Sequence, residues 1–388
     1  MPDLSAPDDV RATSQAILTI DLDALAENWR QLARRAGDAE CAAVVKADAY
    51  GLGIAPVSRS LLAAGCESFF VAHLSEGEAL RALAPDARIF ILNGLASGAS
   101  ALYARANLIP VLGSLPEMSE WAAFCRNIGA PLPAAIHIDT GMNRLGLARR
   151  DLPGAMTLMA AFTPVLAMSH FISAEDMSAP SNIRQIERFE EACGQLPPMP
   201  ASLCNSSGMF LEEAPFLDLT RPGYALYGGN PTPGSDNPMR GVVGLTAVVL
   251  QVRDIPGGET AGYNGRWTAP SRRRLATIGI GYADGFLRAG GEGDIGVEVF
   301  AGGRFCPVVG RISMDLSIID ISEAAPLQRG DRVEIIGPHI GIDDLGPQAG
   351  TIGYEILTSL GRRYRRAYRG LAAEQEARSA APSEPSPF

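Results

Sequence analysis

Between residues 41 and 225, short apolar runs alternate eight times with stretches of helical pattern, and this repeat constrains the fold more than any other feature. The predicted strands are Ala42–Lys46, Phe69–His73, Ile89–Asn93, Leu108–Leu112, Ala135–Asp139, Val165–His170, Ser202–Asn205 and Leu217–Arg221. Segments such as Ala55–Ala64 and Ser181–Cys193 read as the helices between them. Strands that are apolar throughout, rather than alternating, are buried on both faces, as in a parallel sheet covered by helices. Eight β-then-α units of this length suggest a (β/α)8 barrel of the TIM type.

The pattern changes after about Asn230. Residues 230–237 are rich in Pro, Gly and Ser, as expected of a linker. Beyond them strand-like runs recur at Leu245–Val252, Arg274–Ile280, Ile295–Phe300, Phe305–Val309, Leu316–Ile319 and Asp331–Ile336, with Gly257-Gly258 and Gly302-Gly303 suited to tight turns. A short helix over 353–360 closes this part. The expected fold class is α/β plus β, which agrees with a chain of 388 residues being too long for one ordinary core. The expected organisation is a disordered N-terminus over 1–15, a barrel over 16–235, a mainly β domain over 236–372 and a disordered tail over 373–388. The strand at 16–20 precedes the barrel and is open to pairing with the β domain instead.

Composition excludes several classes of function. A formal charge of −10 does not suit a phosphate backbone or an anionic membrane surface. The arginines at 362, 363, 365, 366 and 369 follow the predicted last helix, where they offset its dipole. Leu152 to Ala174 lacks Asp, Glu, Lys and Arg, but Pro164 divides it, so it reads as a helix and a buried strand rather than a membrane span. Six cysteines without C-x-x-C spacing favour free thiols in a reducing compartment, and no apolar leader opens the chain, so a cytoplasmic protein is expected. No H-x-x-x-H or similar metal spacing occurs.

In a β/α barrel, catalytic groups gather at the C-terminal ends of the strands. Those ends carry Lys46, His73, Asn93, Arg144 just past Asp139, His170, Asn205-Ser206 and Arg221. Lys46 ends the run AAVVK. An amine leaving a buried strand loses proton affinity by desolvation, as Schiff-base chemistry needs, although a lysine at a barrel rim also snorkels to water. Backbone amides at 206–208 and after Arg221 suit a phosphate cradle, while a glycine after a strand is also an ordinary turn. His170 reads either as a satisfied core histidine or as a catalytic group. His73 and His339 read as structural.

At this point a family resemblance becomes specific. AVVKADAYG (43–51), HIDTGMNRLG (137–146), LCNSSG (203–208), RPGYALYG (221–228), GYNGRW (262–267), GYADGF (281–286), GRISMD (310–315) and TIGYEIL (351–357) resemble, in order, the motifs of alanine racemases. The resemblance implies pyridoxal 5'-phosphate linked as an imine to Lys46, with Lys46 and Tyr263 as opposing bases that interconvert L- and D-alanine. It implies that Tyr50, Tyr354, Asn205, Ser206, Gly223 and Tyr224 hold the cofactor, with Arg221 at its ring nitrogen beside His170, and Arg144 at its phenolic oxygen. Arg144, Tyr282, Met314 and Asp315 then receive the substrate. Because Tyr263, Tyr282 and Met314 come from the partner subunit in that family, a cytoplasmic homodimer with shared sites is implied, in a role such as supplying D-alanine to peptidoglycan precursors. Tyr263 would act as a phenolate, and cationic charge from the His170–Arg221 region is the expected source of its stabilisation.

Three positions depart from the family pattern: Leu52, where histidine is common; His137, where a lysine, sometimes carbamylated, supports the arginine; and Tyr224, in place of an aliphatic residue. A rival reading is an amino-acid decarboxylase on the same two-domain plan, which would need neither a tyrosine base nor an arginine on the ring nitrogen. A barrel-only pyridoxal-phosphate carrier would not need the long β domain. A cofactor-free Schiff-base aldolase would use Lys46 alone.

Overall fold

The computed structural model describes residues 14–291 and 296–370. The expected disorder over 1–15 and 373–388 lies outside the described residues, apart from positions 14 and 15, as does the start of the strand expected at Ile295. The chain divides into two units. Among the described residues, one contains Leu25–Ala49 and Gly53–Arg240; the other contains residues 14–24, Tyr50–Leu52 and those from Gly241 onward.

The first unit is the barrel. Among the described strands, β1 (Ala16–Asp21) lies outside it, and its wall starts with β2 (Glu40–Cys41) and β3 (Ala43–Val44), two parts of one strand divided at Ala42. There follow β4 (Ser68–Val71), β5 (Arg88–Ile91), β6 (Ile109–Leu112), β7 (Pro133–His137), β8 (Thr163–Met168), β9 (Ala201–Ser202) and β10 (Leu219–Thr220). Strands β3 to β9 pair in sequence order, all parallel. The wall closes because β10 pairs parallel with β2, while the N–H groups of Asp218 and Arg221 donate to the carbonyls of Ala201 and Cys204 at 3.1 and 2.9 Å. All four residues of β4 are buried, and Phe70 and Phe90 stack with ring centroids 4.5 Å apart. Side chains of this size each contribute about 1.5–3 kcal/mol on burial, and for that reason the run stays apolar on both faces. The apolar stretch from Leu152 forms a helix, Leu152–Met159, and then β8. Among the described residues no helix is long and apolar enough to cross a membrane. The six cysteines are free thiols.

The second unit is built on one long strand, β11 (Val243–Ile255), which pairs with β1 on one side and with β14 (Arg273–Ile278) and β18 (Arg332–Ile336) elsewhere along its length. The intervening short strands β12 (Thr260–Ala261) and β13 (Trp267–Thr268) pair with each other. Strands β15 (Glu298–Ala301) and β16 (Arg304–Pro307) form a hairpin whose two turn residues, Gly302 and Gly303, have φ of 55° and 78°. Left-handed backbone at both central positions is what a tight hairpin demands. β17 (Ser317–Asp320) pairs with β14. The helix Gly353–Ser359 follows, and the chain then forms β19 (Arg365–Arg369), parallel to β1. This corrects the reading of the arginine cluster. Arg365, Arg366 and Arg369 do not end a helix; they lie in an edge strand, where arginine side chains discourage pairing with another chain, and Arg362 and Arg363 lie in the bend before it. β1 accordingly belongs to this sheet.

Candidate functional site

The chain leaves β3 at Lys46 and turns at once into a left-handed coil. Ala47, Asp48, Ala49 and Tyr50 all have φ between 53° and 55°, with no glycine among them. Each such L-residue costs roughly 1–2 kcal/mol, so the turn exists only because its surroundings repay it. The N–H of Ala47 donates to Glu76 Oε1 at 2.7 Å, and the N–H of Ala49 donates to the Val45 carbonyl at 3.0 Å. Asp48 Oδ1 accepts the N–H of Ile54, and the Asp48 carbonyl accepts that of Gly53, both at 2.8 Å. Lys46 itself is half-buried. Burial, then the Arg144 guanidinium, holds its amine below the usual lysine range, and Glu76 opposes them. That is the direction an amine needs in order to attack a carbonyl.

Arg221 follows β10 and is 4% exposed. Its guanidinium donates to Ser202 Oγ and to the carbonyls of Ser169 and Leu203, and lies 5.9 Å from the centre of the Phe70 ring. Burial brings its pKa down to about 10, which leaves it a cation at neutral pH. The two histidines behave differently. Burial, then Arg221 and Arg144, pushes His137 down to about 4 and His170 down to about 3. The expectation that His170 shares in a cationic region is therefore corrected: burial and the two arginines favour the neutral imidazole, the charge is that of Arg221, and its guanidinium bonds go to residues 169, 202 and 203.

Arg144 is exposed, on a loop that leaves β7 at His137. Asp139 Oδ1 accepts the N–H groups of Gly141 and Asn143 at 2.9 and 3.1 Å, and the N–H of Leu147 returns to the His137 carbonyl at 2.8 Å. Gln185 and Ser169 both hold the Thr140 hydroxyl, at 2.9 and 2.7 Å. This backbone scaffold fixes the arginine's loop without an anion from position 137.

After β9, the buried Ser206 hydroxyl accepts the N–H groups of Gly223 and Ala225 at 3.0 and 3.2 Å. Asn205 Oδ1 accepts the N–H of Gly208 at 2.8 Å and so shapes the same loop. The Tyr224 ring lies over Gly229, where a Cβ would come within 2.1 Å of it. Ala225 and Ser202 were not singled out in the sequence, nor was Glu76. A small residue after a strand carries no signal of where its N–H points. His73 and Asn93 make one contact of 3.4 Å between their side chains.

Within the second unit the rings of Tyr50 and Tyr354 lie 6.2 Å apart, tilted by 41°. The Leu52 carbonyl accepts the Tyr368 hydroxyl at 2.8 Å, while its side chain is fully buried. Tyr263, Tyr282 and Met314 lie on loops held backbone to backbone: the N–H groups of Tyr282 and Ala283 donate to the carbonyls of Ser313 and Met314, each at 3.0 Å. Tyr263 follows Gly262, whose positive φ of 73° places it against Arg311. All three side chains are exposed, Tyr263 at 66%, Tyr282 at 40% and Met314 at 54%. Asp315 is held by Arg363 at 2.8 Å, and the same guanidinium reaches the buried Asp284 at 3.3 Å. His339 pairs with Glu334 and stacks on Phe300, a structural role.

A (β/α)8 barrel with a desolvated amine, a buried arginine and a hydroxyl–amide cradle at the C-terminal ends of its strands defines an enzyme of amine–carbonyl chemistry. Residues 20–231 match the model of the alanine racemase N-terminal domain, and residues 242–368 match that of the C-terminal domain. An alanine racemase of Methylobacterium nodulans is 55% identical over 358 residues, which covers 91% of this chain and 96% of that protein. One of Acidiphilium cryptum is 48% identical over 359 residues, covering 91% of this chain and 99% of that protein. The crystal structure of alanine racemase from Bartonella henselae with covalently bound pyridoxal phosphate superposes with a TM-score of 0.88 at 40% identity, covering 92% of this chain and all of that one. The chain belongs to the alanine racemase family and is an isomerase.

Proposed function

We propose that this chain interconverts L- and D-alanine with pyridoxal phosphate as cofactor, Lys46 and Tyr263 being the bases on the two faces of the substrate. The observation that carries the reading is the setting of Lys46, an amine with reduced proton affinity at the end of a barrel strand, in a barrel whose strands β9 and β10 lead into the Ser206 cradle and the buried Arg221. The donor set fits the cofactor. Lys46 matches its carbonyl; the Ser206 hydroxyl, which accepts the Gly223 and Ala225 N–H groups and keeps its own hydrogen to donate, matches a phosphate oxygen; Arg221 and Arg144 match the polar atoms of its ring. Asn205 supports that cradle, and His170, Tyr224, Tyr50 and Tyr354 complete the cofactor-binding set.

When bound, the cofactor supplies the electron sink that stabilises negative charge at Cα. The chain supplies the rest. Lys46 Nζ takes or returns the Cα proton on one face and the Tyr263 hydroxyl does so on the other; a single base would favour retention. Arg221, a cation at neutral pH, keeps its own protons, so it serves the ring nitrogen without protonating it. Arg144, Tyr282 and the Met314 amide receive the substrate carboxylate, with Asp315, paired to Arg363, beside them. The exposure of Tyr263, Tyr282 and Met314 on interlocked loops supports a homodimer in which each site takes these residues from the other copy.

The test is wash-in of deuterium at Cα from D2O, followed separately for L- and D-alanine with chiral analysis of the product. Tyr263→Phe is expected to slow exchange of one enantiomer far more than the other. Equal slowing of both would remove Tyr263 as a base, and absence of product of inverted configuration from the unaltered protein would remove the reaction.

A further inference from the structure

Glu76 stands in the first turn of the helix Leu74–Leu83, in the β/α unit that follows the one carrying Lys46. Its two carboxylate oxygens serve different parts of the chain. Oε2 accepts the N–H groups of Ala72 and His73 at 2.7 and 3.0 Å, as a glutamate at the third position of a helix does when it caps the entering chain. Oε1 turns away from its own helix and accepts the N–H of Ala47 at 2.7 Å. Helix capping does not need that second bond. It reaches back 29 residues to the first of four left-handed residues that leave Lys46. Such backbone persists only where its surroundings over-determine it, and it is the Glu76 carboxylate that holds the Ala47 N–H.

We propose that Glu76 is a positioning residue for Lys46: by accepting the Ala47 N–H it fixes the left-handed turn that aims the lysine amine at the substrate. The proposal rests on Lys46 being one of two opposed bases. Aim matters because proton transfer requires the amine within hydrogen-bond reach of Cα, and a misplacement of about 1 Å costs on the order of a hundredfold in rate.

The two functions of the carboxylate separate in Glu76→Gln. Glutamine serves at a capping position as glutamate does, its single carbonyl oxygen taking over from Oε2. Its amide nitrogen then stands where Oε1 was and cannot accept the Ala47 N–H. Three holoenzymes are compared by deuterium wash-in at Cα of D- and L-alanine: unaltered, Tyr263→Phe and Glu76→Gln. Glu76→Gln is expected to slow, by roughly ten- to a hundredfold, the enantiomer opposite to the one that Tyr263→Phe slows, with little change in melting temperature. A purely capping role, which glutamine preserves, would leave the melting temperature and the exchange of both enantiomers unaltered, and that outcome overturns the proposal; so does an equal slowing of the two enantiomers. If instead Tyr263→Phe is itself symmetric, the two-base reading fails first. A second measurement needs no variant. In the unaltered holoenzyme the amide of Ala47 is expected to exchange as slowly as those of Ala72 and His73, and exchange at the rate of a free amide would show that the bond does not hold the turn.

Discussion

Gly281 and Met314 approach so closely that a Cβ on the glycine would lie 2.4 Å from the methionine carbonyl oxygen, and equally near that of Ser313. Only a residue without a side chain lets the two loops exchange the hydrogen bonds that tie Tyr282 and Ala283 to 313–314. Gly281→Ala therefore must push both loops apart. On the proposed reading these carry substrate-binding groups, so KM for alanine is expected to rise roughly tenfold with kcat falling less. Steady-state kinetics in both directions checks this, and an unchanged KM would dissociate these loops from substrate binding.

Lys46→Ala removes the amine that would link the cofactor. The purified variant is expected to lose activity and the visible absorbance of a lysine-bound pyridoxal phosphate together. Reduction with borohydride followed by peptide mapping would reveal any cofactor still attached elsewhere, and such attachment would take Lys46 out of its role.

Arg221 donates to three acceptors in a buried setting: Ser202 Oγ and the carbonyls of Ser169 and Leu203. Lysine keeps the charge but not the planar fork, so acceptors are left without donors. Arg221→Lys is expected to cost about 2–4 kcal/mol of stability, read from denaturant unfolding of the holoenzyme. A loss below about 0.5 kcal/mol would mean that these bonds contribute nothing net.

Acid should unfold the barrel through its histidines. His137 and His170 have folded pKa values of about 4 and about 3, below the ordinary 6.5. The unfolded chain then binds protons that the folded chain refuses. Stability is fully present above pH 6.5 and is lost as the pH falls toward those folded values. The slope reaches up to about 1.4 kcal/mol per pH unit for each proton. His137→Asn is expected to reduce the slope between pH 6 and 4.5 by one proton's share, measured from unfolding midpoints across that range. An unaltered slope would show that His137 is already protonated in the folded state.

Much of this protein could be read along the chain. Apolar runs such as SFFV at 68–71 and RIFI at 88–91 marked barrel strands to within two residues, because a strand buried on both faces has no other composition. Lys46, His170 and Arg221 stood out because they follow such runs. The left-handed turn at 47–50 could not be read, since Ala-Asp-Ala-Tyr has no local preference for positive φ; tertiary bonds from Glu76 and others impose it. Nor could the arginines of 365–369 be placed, because a short charged segment becomes a strand only when an edge such as β1 is there to pair with it.

By itself, then, the order of residues determined the alternation of strand and helix, the change to β structure and the set of polar side chains at the strand ends. Periodicity and burial are local properties, and a chain expresses them wherever it lies. Tertiary structure alone decided that His170 is neutral while Arg221 keeps its charge, that Ser206 meets the amides of Gly223 and Ala225, and that a carboxylate from the next unit holds the turn beyond Lys46. Proton affinity and hydrogen-bond partnership depend on which distant groups share a low-dielectric space, and that is settled only when the barrel closes.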